Sequence, residues 1–428
     1  MKIAIVGAGV SGLVAAYRLS DGHEIVVFEA NDYPGGHTNT VEVAIGEETH
    51  AVDTGFIVFN DWTYPNFIKL IDELGVASQP TEMSFSVQDE RTGLEYNGHS
   101  LNTLFAQRSN LLRPSFYRML ADILRFGRES VALVDDARED LTVADFLATH
   151  RYSREFRDHY LIPMGSAIWS CPRGTFSQFP IRFVVEFYRN HGLLSVRRRP
   201  TWRTIQGGSQ TYVKAMTKRF SNRIRLRTPV LNVRRSVDAV QVSTREGIET
   251  FDHVVFACHS DQALRMLGAD ATPTERELLS AFPYTKNTAV LHTDVSRLPK
   301  SRRAWASWNY RLADDPQAPA TVTYNMNILQ RLKSRHTFCV TLNDDLKIAP
   351  SSVLRRFEYE HPVFTTRRAE AQSRRRELLV ANRSSYCGAY WKNGFHEDGV
   401  TSAIEVVDAL QAGPNTARLA VGSSGRAT

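Results

Sequence analysis

The chain has 428 residues, 42% of them hydrophobic and 23% charged, with 52 Lys and Arg against 46 Asp and Glu for a formal charge of +6. That length allows two or three domains, and the balance is that of a globular protein with ample apolar material for a core. The charge excess is too mild to mark a nucleic-acid binder, no apolar run approaches the ~18 residues of a membrane span, and the four cysteines, Cys171, Cys258, Cys339 and Cys387, lie too far apart for a CxxC pair or a zinc site.

Such cysteine usage suits a reducing compartment. The N-terminus MKIAIVGAGVSG has no basic n-region, long apolar stretch or small-residue cleavage site, so it does not read as a signal peptide, and the expected location is cytoplasmic. KIAIV is a short apolar run of the buried parallel-strand type. From Ser11 to Ser20 the apolar residues Leu13, Ala16, Tyr17 and Leu19 recur at helical spacing, Asp21-Gly22 breaks the helix, and EIVVFEA forms a second strand. YPNFIKLIDEL, near 64–74, predicts an amphipathic helix ending at Gly75. Residues 80–205 change character, with many aromatics and arginines and helices expected at 115–135, 142–149 and 180–191. GGSQTYVKAMTKRF then reads as a glycine turn into a helix. RIRLRTP, VLNVRRS, AVQVSTREG and FDHVVFA read as short strands. After a second mixed stretch, from about 280 to 370, the chain closes with the loop NGFHEDG and the helix VTSAIEVVDALQAG. The α/β material thus falls in three pieces, read as one discontinuous cofactor domain over 1–79, 205–275 and 375–428. The insertions 80–204 and 276–374 read as a substrate domain.

Gly7, Gly9 and Gly12 form a G-x-G-x-x-G between a strand and a helix. The first allows a tight turn, the second lets backbone approach a pyrophosphate, and the third lets helix and strand pack closely. The helix start then offers free N–H groups and a positive dipole end to phosphate. Glu29, at the end of the second strand, is placed to accept from a ribose 2′-OH and to repel a 2′-phosphate, which favours FAD or NAD over NADP. Six residues on, Gly35-Gly36-His37-Thr38 completes an E-x5-GG pattern, a flavoprotein rather than an NAD arrangement, and Gly55-Phe56 places a glycine and an aromatic where a flavin ring could lie.

Taken together, GAGVSG, EA-x4-GGH, DTGF, TIQGGSQTYV, FDHVVFAC and CGAY resemble the FAD-dependent amine oxidase superfamily, with protoporphyrinogen oxidase and carotene desaturases as relatives. YLIPMGSAIWSCP, RNHGLLSVRRRPTWRT, AWASWNY, VTYNMNILQ and CGAYWKNGFHEDG resemble more particularly the N-terminal FAD domain of plant cyclopropane fatty acid synthases and their stand-alone bacterial homologues. No methyltransferase half is visible. The resemblance implies an α/β fold with a Rossmann-like FAD-binding domain of the amine oxidase type and a discontinuous mixed α+β substrate domain. It assigns the cofactor to Gly7, Ala8, Gly9, Ser11, Gly12, Glu29, Ala30, Gly35, Gly36, His37, Thr38, Gly55, Phe56, Val230, Gly388, Glu397, Asp398, Gly399 and Val400. His37 stands where many amine oxidases carry Arg or Lys, which leaves more of the pyrophosphate to backbone N–H groups. Cys387 directly precedes Gly388 and does not match the upstream thioether cysteine of some monoamine oxidases, so the FAD is expected to be non-covalent.

In NGFHEDG the zinc reading fails on ligand count, since no Cys or His cluster accompanies it. Three readings stay open: acid/base work by His396 or Glu397, a helix cap by Asp398, and backbone contacts to a flavin pyrimidine from Asp398, Gly399 and Val400 at the helix start. Lys286 lies near the place where amine oxidases hold a water against flavin N5, with Asn287 competing for that place. The insertion aromatics, Trp169, Phe176, Phe179, Phe183, Phe187, Tyr188, Trp305, Trp308, Tyr310 and Tyr324, either line an apolar cavity or form ordinary core. RRRPTWR, at 197–203, is either a solvated loop or a peripheral contact with phospholipid head groups. The activity expected is hydride transfer to flavin N5 from a fatty acyl chain in cyclopropane or methyl-branched lipid metabolism. The alternatives are a flavin amine oxidase and a non-catalytic flavoprotein partner of a lipid methyltransferase.

Overall fold

The structure is a computed structural model that describes residues 1–131, 141–195, 199–312, 315, 317–363, 365 and 367–412. Its centre is a parallel sheet of five strands, β1 (Lys2–Val6), β2 (Glu24–Phe28), β3 (Ile224–Arg225), β4 (His253–Phe256) and β5 (Ser384–Tyr386), in the order β3-β2-β1-β4-β5. The sheet collects strands from three distant stretches of chain. In its middle, Val6 pairs with Phe28 on one side and Phe256 on the other, so three strands end at one level. β1 and β4 are buried on both faces, which is why KIAIV and HVVF read as unbroken apolar runs rather than alternating ones.

Six helices matter for the site: α1 (Val10–Leu19), α2 (Pro65–Glu73), α3 (Pro114–Glu129), α4 (Gln210–Thr217), α5 (Ser260–Leu267) and α6 (His396–Ala412). On one face of the sheet Ile3, Ile5 and Val27 pack with Leu13 and Ala16 of α1, Tyr212 and Val213 of α4, and Val400, Ala403 and Val406 of α6. On the other face Ala4, Val26 and Phe28 meet a three-stranded antiparallel sheet through Val233, Val242 and Phe251, and α5 through Ala263 and Leu267. This is the three-layer arrangement that a two-sided apolar sheet demands.

A second sheet of seven strands runs in the order Val353–Pro362, Tyr284–His292, Cys339–Leu342, Thr321–Asn325, Trp308–Arg311, Phe85–Asp89, Leu94–Asn97. It joins chain from before and after β3 and β4. A helical layer beside it is filled by aromatics. Trp169 stacks on Phe176 at 5.8 Å and meets Phe187 at 4.9 Å, and Phe176, Phe179, Phe183 and Tyr188 are buried with them. Those residues form core and do not line an open tunnel. Trp308 and Tyr324 likewise pack edge to face across paired strands, with Tyr310 beside them in the sheet's own core.

Several boundaries differ from the sequence reading. RIRLRTP gives only the two-residue strand β3, because Arg227 takes a positive φ of 53° and turns the chain back toward Asn31. The helix expected at 115–135 is described to Glu129; residues 132–135 lie outside the described part, as do Arg197 and Arg198 of the basic stretch. The final helix begins at His396 and so takes in the HED triplet that read as loop. Among the described residues no helix is long and apolar enough to cross a membrane.

Candidate functional site

β1 runs into Gly7, whose φ of 105° and a Cβ position 2.8 Å from the Ala257 oxygen leave room for no side chain. At Gly12 a Cβ would collide with the Gly7 carbonyl oxygen, which is how helix and strand come to lie so close. α1 starts from Gly9 with no side-chain cap and no acidic residue in its first turn, so its leading N–H groups, on Val10 and Ser11, have no capping side chain among the described residues and a positive dipole behind them. Gly35 donates its N–H to the Ala8 oxygen at 2.7 Å, and Gly36, with φ of 59°, brings its Cβ position to 3.1 Å from Gly9 Cα. The second glycine pair therefore folds directly over the first turn. Glu29 is buried and accepts the N–H of Ala8 and of Asn31, each at 2.8 Å; its remaining lone pairs are available to a sugar hydroxyl. Val230 lies half-buried beside Val6 and Phe28, and Ala30 is exposed.

The start of α6 closes this cradle. The Cβ position of Gly399 lies 2.8 Å from Val10 Cγ1 and 3.0 Å from Ser11 Oγ, so only glycine lets the first turns of α1 and α6 touch. Gly388, just before, donates its N–H to Ser402 Oγ, and a Cβ there would enter the Tyr390 ring. Because α6 begins at His396, the N–H groups of Asp398 and Gly399 already bond to the Phe395 oxygen, and Val400 lies within the helix. That corrects the expected backbone donors: the unpaired leading N–H groups belong to His396 and Glu397. Asp398 caps the turn, accepting the N–H of Asn393 and Phe395 at 3.1 and 2.9 Å, and burial pushes its carboxyl up to about 6.

Glu397 points away from the cradle. Its carboxylate accepts the N–H of Asn66 at 3.0 Å and of Phe67 at 2.8 Å, and the Thr401 hydroxyl at 3.2 Å. It caps α2, whose own preceding residue, Tyr64, supplies no cap. Both oxygens are taken, so the acid/base role gives way to a structural one. Lys286 is corrected more sharply. Its side chain is 69% exposed and paired with Glu358 at 2.8 Å on the outer side of its strand. One residue on, the strand's alternation buries Asn287, whose amide meets His361 Nδ1 at 3.0 Å.

What gathers around Phe56 is different. The His396 ring stacks on Phe56 with centroids 3.6 Å apart and 9° between planes. His396 Nε2 lies 2.7 Å from the Tyr212 hydroxyl, which lies 2.6 Å from Thr38 Oγ1. Burial pushes His396 down to about 3, so the ring is neutral. On the other side His37 stacks on Tyr359 at 4.9 Å and sits 5.2 Å from His361. Burial lowers both imidazoles, His361 to about 4. His37 Nε2 is sealed from solvent and has no hydrogen-bond partner, an arrangement a native structure rarely leaves without a ligand or water. Tyr212, Tyr359 and His361 escaped the sequence reading. Tyr212 lies inside TIQGGSQTYV and could have been singled out; the strand carrying Tyr359 and His361 had no motif.

Beneath, Asp53 ties three segments together. It accepts the Ser209 N–H at 2.9 Å, the Ser209 hydroxyl at 2.8 Å, the Thr40 hydroxyl at 2.5 Å and the Gln330 amide at 2.9 Å. Its burial pushes it up to about 6 against those bonds. Among the described residues no group of His, Cys, Asp and Glu could hold a metal ion.

The donor set fits a dinucleotide flavin. There is an uncapped start of α1 with the start of α6 against it, glycines at the points of backbone approach, a carboxylate at the end of β2, and an imidazole with an unpartnered Nε2 beside the second glycine pair. These features define a flavoprotein oxidoreductase. The chain belongs to the flavin containing amine oxidoreductase family, whose profile matches residues 10–297. It is therefore an FAD-dependent, amine oxidase-like oxidoreductase. It is 24% identical over 348 residues to AofH of Mycobacterium tuberculosis, a protein named as a flavin-containing monoamine oxidase, covering 76% of this chain and 71% of that one. Cyclohexylamine oxidase from Brevibacterium oxydans has the same fold, with a TM-score of 0.64 and 17% identity over 96% of this chain and 99% of that one. So does a CLA-producing fatty acid isomerase from P. acnes, with a TM-score of 0.66 and 14% identity over 96% and 98%.

Proposed function

We propose that the protein oxidises a fatty acyl chain, within the metabolism of cyclopropane or methyl-branched lipids. FAD, when bound, supplies a hydride acceptor at its N5. The observation that carries this reading is the electrical neutrality of the groups around Phe56. His37, His361 and His396 are all held neutral by burial, while the nearby carboxylates Asp53, Glu397 and Asp398 are each consumed by two or more hydrogen bonds. A cationic amine brought there would find no uncommitted anion among the described residues, whereas an uncharged carbon chain needs none. The motifs shared with the FAD domain of plant cyclopropane fatty acid synthases support the same substrate class. A protein of the same fold is named as a fatty acid isomerase, which supports the same reading.

The chain's own residues then have limited tasks. Tyr212 fixes His396 through a hydrogen bond, and His396 in turn supports Phe56 face to face, which keeps one wall of the site flat. Asn287 holds the His361 ring, and His361 backs His37. Anaerobic mixing of the purified flavoprotein with cyclopropane- and methyl-branched phospholipids, and separately with mono- and diamines, tests the proposal. Loss of visible flavin absorbance with lipid alone is the expected result. Bleaching by amines alone would replace it with the amine oxidase reading, which the family and the likeness to AofH favour. No bleaching by either, with stable association to a lipid methyltransferase, would leave a non-catalytic partner role.

A further inference from the structure

α3 has two apolar faces, and only one has a use inside the fold. Phe116, Met119 and Phe126 point inward and are buried. Tyr117 and Leu124, seven residues apart, are exposed on the outward stripe, with Leu120 between them half-buried against the core, and Val131 continues it past the helix end. The turn before the helix adds to this side. Leu112 is 87% exposed, Leu111 lies next to it, and the Tyr117 hydroxyl donates to the Leu111 oxygen at 3.0 Å, which locks turn and helix into one surface. Leu101, 77% exposed, belongs to the same segment. Of the fourteen exposed large hydrophobic residues among the described positions, six fall within residues 101–131 and four within 226–248. Chance scatter would put about one there, so the cluster needs an occupant.

Charge says which occupant. The same 31 residues carry Arg108, Arg113, Arg118, Arg125 and Arg128 against Asp122 and Glu129, a surplus of +3 within a chain whose total is +6. Arg125 is spent on Asp122 and Glu129, and Arg118 faces Glu155 at 3.8 Å. Arg108, Arg113 and Arg128 have no carboxylate within ion-pair distance among the described residues. Behind Leu124 and Arg128 lies a cavity of about 460 Å³. Ile123, Phe126, Leu193 and Leu194 line it, with Arg128 and Arg199 among its residues. Apolar side chains interleaved with unpaired arginines beside an apolar hollow match an anionic bilayer, which takes leucines into its acyl boundary and arginines at its phosphates. A second copy of the chain would present the same positive face and be repelled.

We propose that the surface built by the turn at Leu111–Leu112 and the outward stripe of α3 docks the protein on anionic phospholipid bilayers. This does not rest on the acyl-chain reading, since a docked enzyme could act on any membrane-resident molecule. The basic stretch at 197–203 meets this surface through Arg199.

The test is co-sedimentation of the flavin-loaded protein with large vesicles of phosphatidylcholine alone and with one-third phosphatidylglycerol. Binding to the anionic vesicles only, weakened at high salt, is expected, with about fivefold lost for each of Arg113 and Arg128 replaced by Gln. A Leu112→Ser/Leu124→Ser double variant is expected to lose at least tenfold of the affinity while keeping its flavin and its melting temperature. Leu346→Ser, at a residue exposed elsewhere, is the matched control and is expected to bind as the parent does. Failure of the folded, flavin-loaded protein to bind anionic vesicles would overturn the proposal. So would a concentration-dependent dimer that the double variant abolishes while vesicle binding is unchanged.

Discussion

Replacing Glu397 separates a structural carboxylate from a chemical one. Its two oxygens accept the N–H groups of Asn66 and Phe67, at 3.0 and 2.8 Å, in the first turn of α2. That helix has neither a side-chain cap of its own nor an acidic residue in its first turn, so a residue more than three hundred positions away supplies its N-terminus. Hydrogen bonds to a charged group are worth about 1.5–3 kcal/mol each, and the dipole of α2 adds about 0.5 kcal/mol. Glu397→Ala would then cost about 3.5–6.5 kcal/mol. The lower end applies, because Asn66 and Glu397 line a cavity of about 440 Å³ through which water can reach the orphaned donors. Glu397→Gln keeps one acceptor and turns an NH2 toward the other N–H, so it is expected to lose about 2 kcal/mol. Urea unfolding of the flavin-loaded proteins, followed by tryptophan emission and by flavin release, measures both. The expected outcome is Ala less stable than Gln and Gln less stable than wild type, with flavin reduction in the surviving folded fraction changed by less than about tenfold. A Gln variant as stable as wild type but slowed by the ~100-fold or more typical of a lost acid or base would refute this and restore Glu397 to the chemistry.

Lys286→Ala removes a largely exposed, solvent-screened pair with Glu358, so stability should barely move and flavin reduction not at all; a large loss of rate would show that the lysine reaches the flavin. Tyr212→Phe takes away the hydroxyl between Thr38 and His396 and should cost about 1–3 kcal/mol of unfolding free energy, with a changed flavin absorbance envelope as the second readout. Acid should destabilise the protein through its buried histidines. His191, His292 and His361 are held down to about 4, and His253 and His396 to about 3, against ~6.5 in the unfolded chain. The unfolded state therefore binds more protons between those values. The histidines' contribution is whole above pH ~6.5 and drains as pH falls toward 4. Asp53 and Asp398, raised to about 6, and Glu397, also raised by burial, act in the opposite sense over part of the same window, but they are three against five. The urea midpoint should drop steadily from pH 7 to 5, and a flat or rising midpoint would contradict the burial of these rings.

The parts of the site that could be read in the sequence are those in which backbone must approach backbone. Gly7, Gly12, Gly36 and Gly399 leave a mark because any side chain at those points would collide with the neighbouring chain, and the absence of a side chain is visible in a string of letters. Buried strands were legible for a similar reason, since KIAIV and HVVF are apolar on both faces. The failures share a cause as well. Glu397 read as an acid facing a reaction, because nothing local reveals that the start of α2 lacks a cap and lies against it. Lys286 and Asn287 are neighbours in sequence and opposites in space, and which of them faces inward depends on the pairing of Lys286 with Glu360 and of Asn287 with Tyr359. The helix start moved because Asp398 caps from inside its first turn, a habit that a loop-like composition of Asn, Gly, His and Asp conceals.

The contact between the starts of α1 and α6 gives the cofactor a second task. Those helices come from opposite ends of the chain and share one apolar core; their first turns meet at Gly399 against Val10 and Ser11, with two sets of like-signed dipole ends brought together. Without an anion between them such an arrangement is electrostatically unfavourable. Neither Gly9 nor the neutral His37 supplies one, and the carboxylates Glu29, Glu397 and Asp398 are turned to other donors. A bound diphosphate would answer both helix ends and the imidazole at once. The flavin-free protein should therefore loosen first where α6 meets α1, and hydrogen exchange at residues 396–404 should slow upon flavin binding more than exchange in the seven-stranded sheet. Equal slowing in both places would mean that the cofactor stabilises the molecule as a whole and that the two helix ends are held together by packing alone.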